Sequence, residues 1–219
     1  MLLMAMGAAL SQPVEIQPGV RIDREARTVE FDGVVAIDCH DPETPIVYLE
    51  LVVCTPDTRE HESLVVTTVQ PSAIHAGLLA VGAEQGSPGR VEWDGATPRR
   101  IPASGEPLRV ELVTEAGARV EAAERWMVRE DGELGDTWRW VFAGSRWVEW
   151  RGQAFYDADG AGTVIGLATF GSEVVSPVRV ISPESSVDAP VWIANAKLVP
   201  DRGEPVTVRL TVLGADEDD

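Results

Sequence analysis

From Val20 onward, short runs rich in valine, isoleucine, leucine and tryptophan alternate with Asp-Gly, proline and glycine punctuation, the pattern of strands and turns. Strands are predicted at 20–23 and 28–31 around Arg24-Glu25-Ala26-Arg27, after which Asp32-Gly33 is expected to turn the chain into 34–39. The run 46–54 is almost continuously apolar, as in a strand buried on both faces. A strand is also expected at 63–69. One helix stands out, at about 72–85: Ile74, Leu78, Leu79 and Val81 recur at helical spacing, Ser72 is placed to cap it and Gly86 to stop it. Residues 87–106 carry Gly89, Gly95, Gly105, Pro88, Pro98 and Pro102, and read as a loop or as a linker between two subdomains. Beyond it come a hairpin of 108–113 with 119–123 about Glu115-Ala116-Gly117 and a turn at Glu130-Asp131-Gly132. Strands follow at 138–143, 148–156 and 163–168, with Asp159-Gly160-Ala161-Gly162 as a hairpin turn. The closing strand falls at 206–213. The expected fold is α+β and mainly β: an antiparallel or mixed sheet, or a sandwich-like pair, with one main helix. It forms one domain over 18–213, or two subdomains divided within 87–106.

Composition narrows the class. With 219 residues, 44% hydrophobic and 25% charged, the chain can bury an ordinary core, and disorder is credible only at its ends. The 18 Lys plus Arg stand against 36 Asp plus Glu, a formal net charge of -18, which repels nucleic acid and disfavours an anionic membrane surface. That charge serves solubility, attracts cations, or lets the tail Asp216, Glu217, Asp218 and Asp219 (within 214–219) meet a basic partner. Lys197 is the only lysine, which gives little support to Schiff-base chemistry. The small, apolar stretch 1–11 reads as an export-signal remnant lacking its positive region, so a periplasmic or otherwise exported location is expected, and a cytoplasmic one if 1–11 is not such a remnant. No run approaches the roughly 20 apolar residues that span a bilayer, so no membrane insertion is expected.

Candidate chemistry gathers in one segment, Cys54-x6-His61-Glu62-x12-His75, with His40 the only histidine outside it. A thiol, two imidazoles and a carboxylate suit a divalent metal, with Cys54, His61 and His75 as ligands. The spacing matches no recognised zinc pattern, since there is no C-x-x-C and no second histidine of H-E-x-x-H. The same residues allow a nucleophile reading: Cys54 as thiolate, His61 or His75 as base, and Glu62 or Asp57 orienting the ring. Against both stands packing, because a cysteine ending a core strand is usually buried and inert. Cys39 and Cys54 form one disulfide or two thiols, and a hairpin about Asp41-Pro42-Glu43-Thr44-Pro45 would keep them apart. Trp126, Trp138, Trp140, Trp147 and Trp150 make either a sheet core or a stacking surface for sugars or peptides. No G-x-S-x-G, P-loop or G-x-G-x-x-G is present, and Asp157-Ala158-Asp159-Gly160 departs from a calcium loop at Ala161 and Ala168, so it reads as a turn.

Tyr48-Leu49-Glu50-Leu51 through Cys54, Glu60-His61-Glu62-Ser63-Leu64, Ile74-His75-Ala76-Gly77-Leu78-Leu79-Ala80, Trp140-Val141-Phe142-Ala143-Gly144-Ser145-Arg146 and Tyr156-Asp157-Ala158-Asp159 resemble the YdjY-type domain family over roughly 18–213. The chain is most similar to the stand-alone exported versions found in planctomycete-like bacteria, which have no settled activity. Some relatives carry ferredoxin cysteines beside the domain, but Cys39 and Cys54 are too few for a four-cysteine iron–sulfur cluster. Arg59 stands where the family motif has lysine, which keeps the charge and removes the amine. The clustering of Cys54, His61, Glu62 and His75, with no complete catalytic pattern, points to a non-enzymatic binding or accessory domain of the cell envelope with those four residues as candidate site, a protein or small-molecule partner and no predicted cofactor. A metal- or thiol-dependent hydrolase and a purely structural interaction module are the alternatives.

Overall fold

The structure is a computed structural model that describes residues 13–95, 97–114, 117–130 and 138–214. The stretch 1–11, the acidic tail 216–219, Glu115-Ala116 and Asp131-Gly132 lie outside the described residues. Strands β1 (Val14–Gln17), β2 (Val20–Asp23) and β3 (Thr28–Val35) make an antiparallel meander. Then come β4 (Leu51–Cys54), a 3-10 turn at Glu60–Glu62, β5 (Ser63–Val66) and helix α1 (Pro71–Ala80). A separate hairpin joins β6 (Arg90–Asp94) to β7 (Thr97–Ile101), and β8 (Pro107–Thr114) pairs with β9 (Arg119–Ala122) as expected. The remainder comprises β10 (Met127–Arg129), β11 (Trp140–Phe142), the hairpin of β12 (Trp147–Trp150) and β13 (Gln153–Tyr156), a short helix α2 (Asp157–Ala161), β14 (Thr163–Gly166), β15 (Val175–Pro177), β16 (Trp192–Ala194), which pairs with β10, and β17 (Pro205–Val212).

The mainly β expectation holds, but the sheet is neither open nor a sandwich. Strands β3, β17, β8, β11, β15, β14, β4 and β5 are neighbours in that order, and β5 pairs back onto β3, closing a barrel. Closure removes the unpaired edges that an open sheet would expose. Two of its ladders, β4 with β5 and β14 with β15, are parallel. Strands from before 87–106 (β4, β5 and β3) and from after it (β17, β8, β11, β15 and β14) form two contiguous arcs of the same barrel, and 87–106 itself contains the β6–β7 hairpin.

Period-two patterning explains the closing strand. Val206, Val208, Leu210 and Val212 are buried in alternation, each burial contributing about 1.5–3 kcal/mol, while Arg209 on the other face donates to Glu30 at 2.7 Å.

Several local expectations are corrected. Asp32-Gly33 is no turn, because β3 runs through it. A Cβ at Gly33 would lie 2.7 Å from Val65 Cγ1 and 3.0 Å from the Val66 carbonyl oxygen, so glycine here lets β3 reach β5. The helix ends at Ala80 rather than about residue 85, since Gly82 at φ +80° lets the Ala83 amide turn back to the Leu78 carbonyl. Ser72 does not cap it: Pro71 opens the helix, and the Ser72 amide donates to Asp159 Oδ1 at 2.8 Å. That aspartate lies in α2, where a hairpin turn was expected. The ladder expected from residue 46 begins only at Leu51, which leaves 46–50 extended and unpaired with a strand. The stretch expected as one strand at 148–156 is a hairpin, folded about Arg151-Gly152, both at positive φ.

Gly33→Val should lower stability by about 2–3 kcal/mol, because overpacking strains the closure. Gly160→Ala, whose new Cβ meets only Phe155 Cε2 at 3.8 Å, should change it by about 0.5 kcal/mol or less. Thermal denaturation of the two variants checks the contrast.

Candidate functional site

The barrel wall opens beside β4 into a cavity of about 1060 Å³. The unladdered stretch 46–50 forms one side and the irregular excursion 178–192 another, linked where the Leu49 amide donates to the Trp192 carbonyl at 2.8 Å. Leu167, Ala168, Pro102, Arg100 and Arg129 complete the lining with His61 and Glu62 of the 3-10 turn.

The strand register sets the chemistry of the wall. In the parallel β4–β5 ladder Leu51 stands beside Ser63, and the pairing continues backward, with the Glu50 amide donating to the Glu62 carbonyl at 2.9 Å. Glu50 and Glu62 are therefore neighbours on adjacent strand ends, and their carboxyl groups meet in the cavity wall. Burial, together with the hydrogen bond and charge of Glu62, pushes the Glu50 carboxyl up to about 7, against the opposing pull of Arg59. Glu50 thus holds a proton up to near neutrality.

A supporting chain stands behind these carboxylates. Arg59 Nη1 donates to Glu50 Oε2 at 2.9 Å and lies 3.9 Å from Glu62 Oε2. Its guanidinium rests on the Phe170 ring, 4.3 Å from the centroid. The Phe170 and Gly171 amides donate to Glu173, a fully buried carboxylate that also accepts from Ser176. Burial raises the Glu173 carboxyl, and these donors oppose that rise. A second polar group lies on the excursion side. Arg100 reaches Asp188 through two bonds of 2.5 and 2.8 Å and donates to the Val180 carbonyl at 3.0 Å.

The four residues singled out in the sequence have different surroundings. His61 and Glu62 line the cavity, with His61 Nε2 3.5 Å from Glu62 Oε1 and the imidazole side chain 73% exposed. Cys54 is fully buried at the end of β4, beside the Ser63 and Thr58 hydroxyls, and burial raises its thiol. His75, on α1, bonds through Nδ1 to the Tyr156 hydroxyl at 2.7 Å, and Tyr156 donates onward to the Gly144 carbonyl at 3.0 Å. That order makes His75 Nδ1–H the donor. Phe142 and Tyr156 meet the ring edge-on, and burial lowers its affinity for a proton. Among the described residues, no group of three or more His, Cys, Asp or Glu side chains is arranged to hold a metal ion, and both cysteines are free thiols. Asp57, at φ +61°, turns the chain before the 3-10 segment, and its amide donates to Glu60. Trp126, Trp138 and Trp140 are buried, whereas Trp147 and Trp150 stand out on the β12–β13 hairpin.

Glu50, Arg59, Phe170 and Glu173 are the residues that sequence reasoning missed as a group. The available signal was the charged Glu50 interrupting the apolar run 46–54.

Fold and site together define a closed mixed β-barrel with a lateral, half-polar cavity. The chain belongs to the YdjY domain family, whose model matches residues 20–211. No curated protein and no solved structure matches the chain. No helix among the described residues is long and apolar enough to cross a membrane.

Two outcomes test this geometry. The raised Glu50 carboxyl contributes stability that is fully present below the ordinary glutamate range and is lost as pH rises through about 7. Glu50→Gln should therefore gain Tm over the parent between pH 4.5 and 8, with the gain levelling off above that, as read by thermal melts across pH. In a Cys39→Ser background, Cys54 should resist a thiol reagent for hours in native buffer and react at once in denaturant.

Proposed function

We propose that the chain is a non-enzymatic, extracytoplasmic binding domain that captures a small molecule, or the end of a partner chain, in the cavity beside β4. The observation that carries this reading is the cavity itself: its volume of about 1060 Å³ is at the upper end of ordinary ligand sites. Apolar walls with a few converging polar groups are what such sites use for affinity and orientation. Leu49, Leu167, Ile181, Val191 and Trp192 supply the walls, and Glu50, Glu62, His61 and Arg100 the polar groups. Of the four residues that motivated a site in the sequence, His61 and Glu62 line the cavity, whereas Cys54, buried at the end of β4, and His75, bonded to Tyr156, are outside its lining. Binding is favoured over thiol hydrolysis because burial keeps the Cys54 thiol protonated and no imidazole hydrogen-bonds to it.

An uncharged environment-sensitive dye, Nile red, should fluoresce on binding the native protein. Val47→Trp, which fills the cavity, should reduce that signal about tenfold at unchanged Tm. Val120→Trp, on the exposed face of β9, should leave it intact. Equal signals from the two variants would remove the cavity from consideration.

A further inference from the structure

We infer that the cavity selects amphiphiles with a cationic head, an ammonium group seated between Glu50 and Glu62 with an alkyl or aromatic tail along Leu49, Val191 and Trp192. This deepens the binding reading above and rests on it.

Three observations converge on that head group. First, the parallel register presses two carboxyl groups together in the wall of an open cavity, where Arg59 bonds one at 2.9 Å and approaches the other at 3.9 Å. Like charges placed side by side destabilise each other, and a shared proton or a second cation relieves them. An ammonium group carries three donors, enough to bond both carboxylates at once. Second, the cavity's positive groups are engaged within the protein. Arg100 is held by Asp188 in a two-bond fork and by the Val180 carbonyl, and Arg129 and Arg179 also have partners. An anionic head would have to displace Asp188 from Arg100, whereas a cationic head meets two carboxylates at the wall without breaking that ion pair. Third, Arg59, stacked on Phe170, makes a hydrogen bond to Glu50 but stands 3.9 Å from Glu62, beyond hydrogen-bond distance, so Glu62 keeps room for a further donor. His61, the remaining titratable group at the pair, is exposed and leaves the approach open. The net charge of -18 draws cations toward the molecule over long range.

The test compares three probes of equal chain length on the intact protein at pH 8: decylamine, decanol and decanoate, each titrated calorimetrically below its aggregation concentration. Decylamine should bind about tenfold or more tightly than decanol, as expected of a charge-assisted contact, and decanoate most weakly. Glu62→Gln should abolish the preference for the amine while decanol binding persists, which also shows that the variant retains its fold. Glu204→Gln removes the same unit of charge at an exposed turn away from the cavity and should leave the preference intact. Decanol binding without a preference for decylamine would overturn this inference and leave the binding reading standing. Failure of all three probes to bind, together with a silent dye, would overturn both. Preference for decanoate, or an amine preference that survives Glu62→Gln, would overturn the inference alone.

Discussion

Strand β5 is the constraint on which the barrel depends. Four residues long, it runs parallel to β4 on one side and antiparallel to β3 on the other, so the same short segment closes the barrel and sets the register of the site. A slip of one residue would send every β5 side chain to the opposite face. Leu64 and Val65, both buried, would exchange faces, Gly33 would lose the contact that requires it, and Glu62 would no longer stand beside Glu50. Stability and chemistry are therefore fixed by one ladder.

That ladder carries a cost at its open end. Two adjacent carboxylates at a cavity wall are unfavourable, and the fold answers with Arg59, placed by the 3-10 turn between the strands, braced on Phe170 and backed by the buried Glu173. Arginine suits this place better than a lysine would, since a planar guanidinium bonds one carboxylate, reaches toward the second and stacks on an aromatic ring at the same time. The remaining imbalance is expressed as a proton held by Glu50 near neutrality.

Strands with period-two alternation or clear turns were legible in the sequence: β2 with β3, β8 with β9, and β17 were all expected close to where they lie. The family resemblance was legible too, and the family model covers 20–211. Barrel closure was not, because the β3–β5 contact joins segments about 30 residues apart and is marked only by a glycine that also reads as a turn. The run 46–54 misled for a related reason: its apolar residues serve two purposes, cavity wall up to Glu50 and core strand from Leu51. For the site, clustering along the chain pointed to Cys54, His61, Glu62 and His75, yet proximity in a barrel follows strand register. Glu50 lies twelve positions from Glu62 in sequence and beside it in the sheet. Glu173 and Phe170 carried no sequence signal, since their work is local to one loop.

The carboxyl pair is where fold and function meet, and its titration reports both. In protein labelled with ¹³C at the glutamate carboxyls, the Glu50 resonance followed against pH should titrate near pH 7, and Glu62→Gln should move that transition down toward the ordinary glutamate range. A Glu50 transition in the ordinary glutamate range, or one that Glu62→Gln leaves unmoved, would show that the carboxyl groups do not meet, and would contradict the register from which the cavity's chemistry is derived.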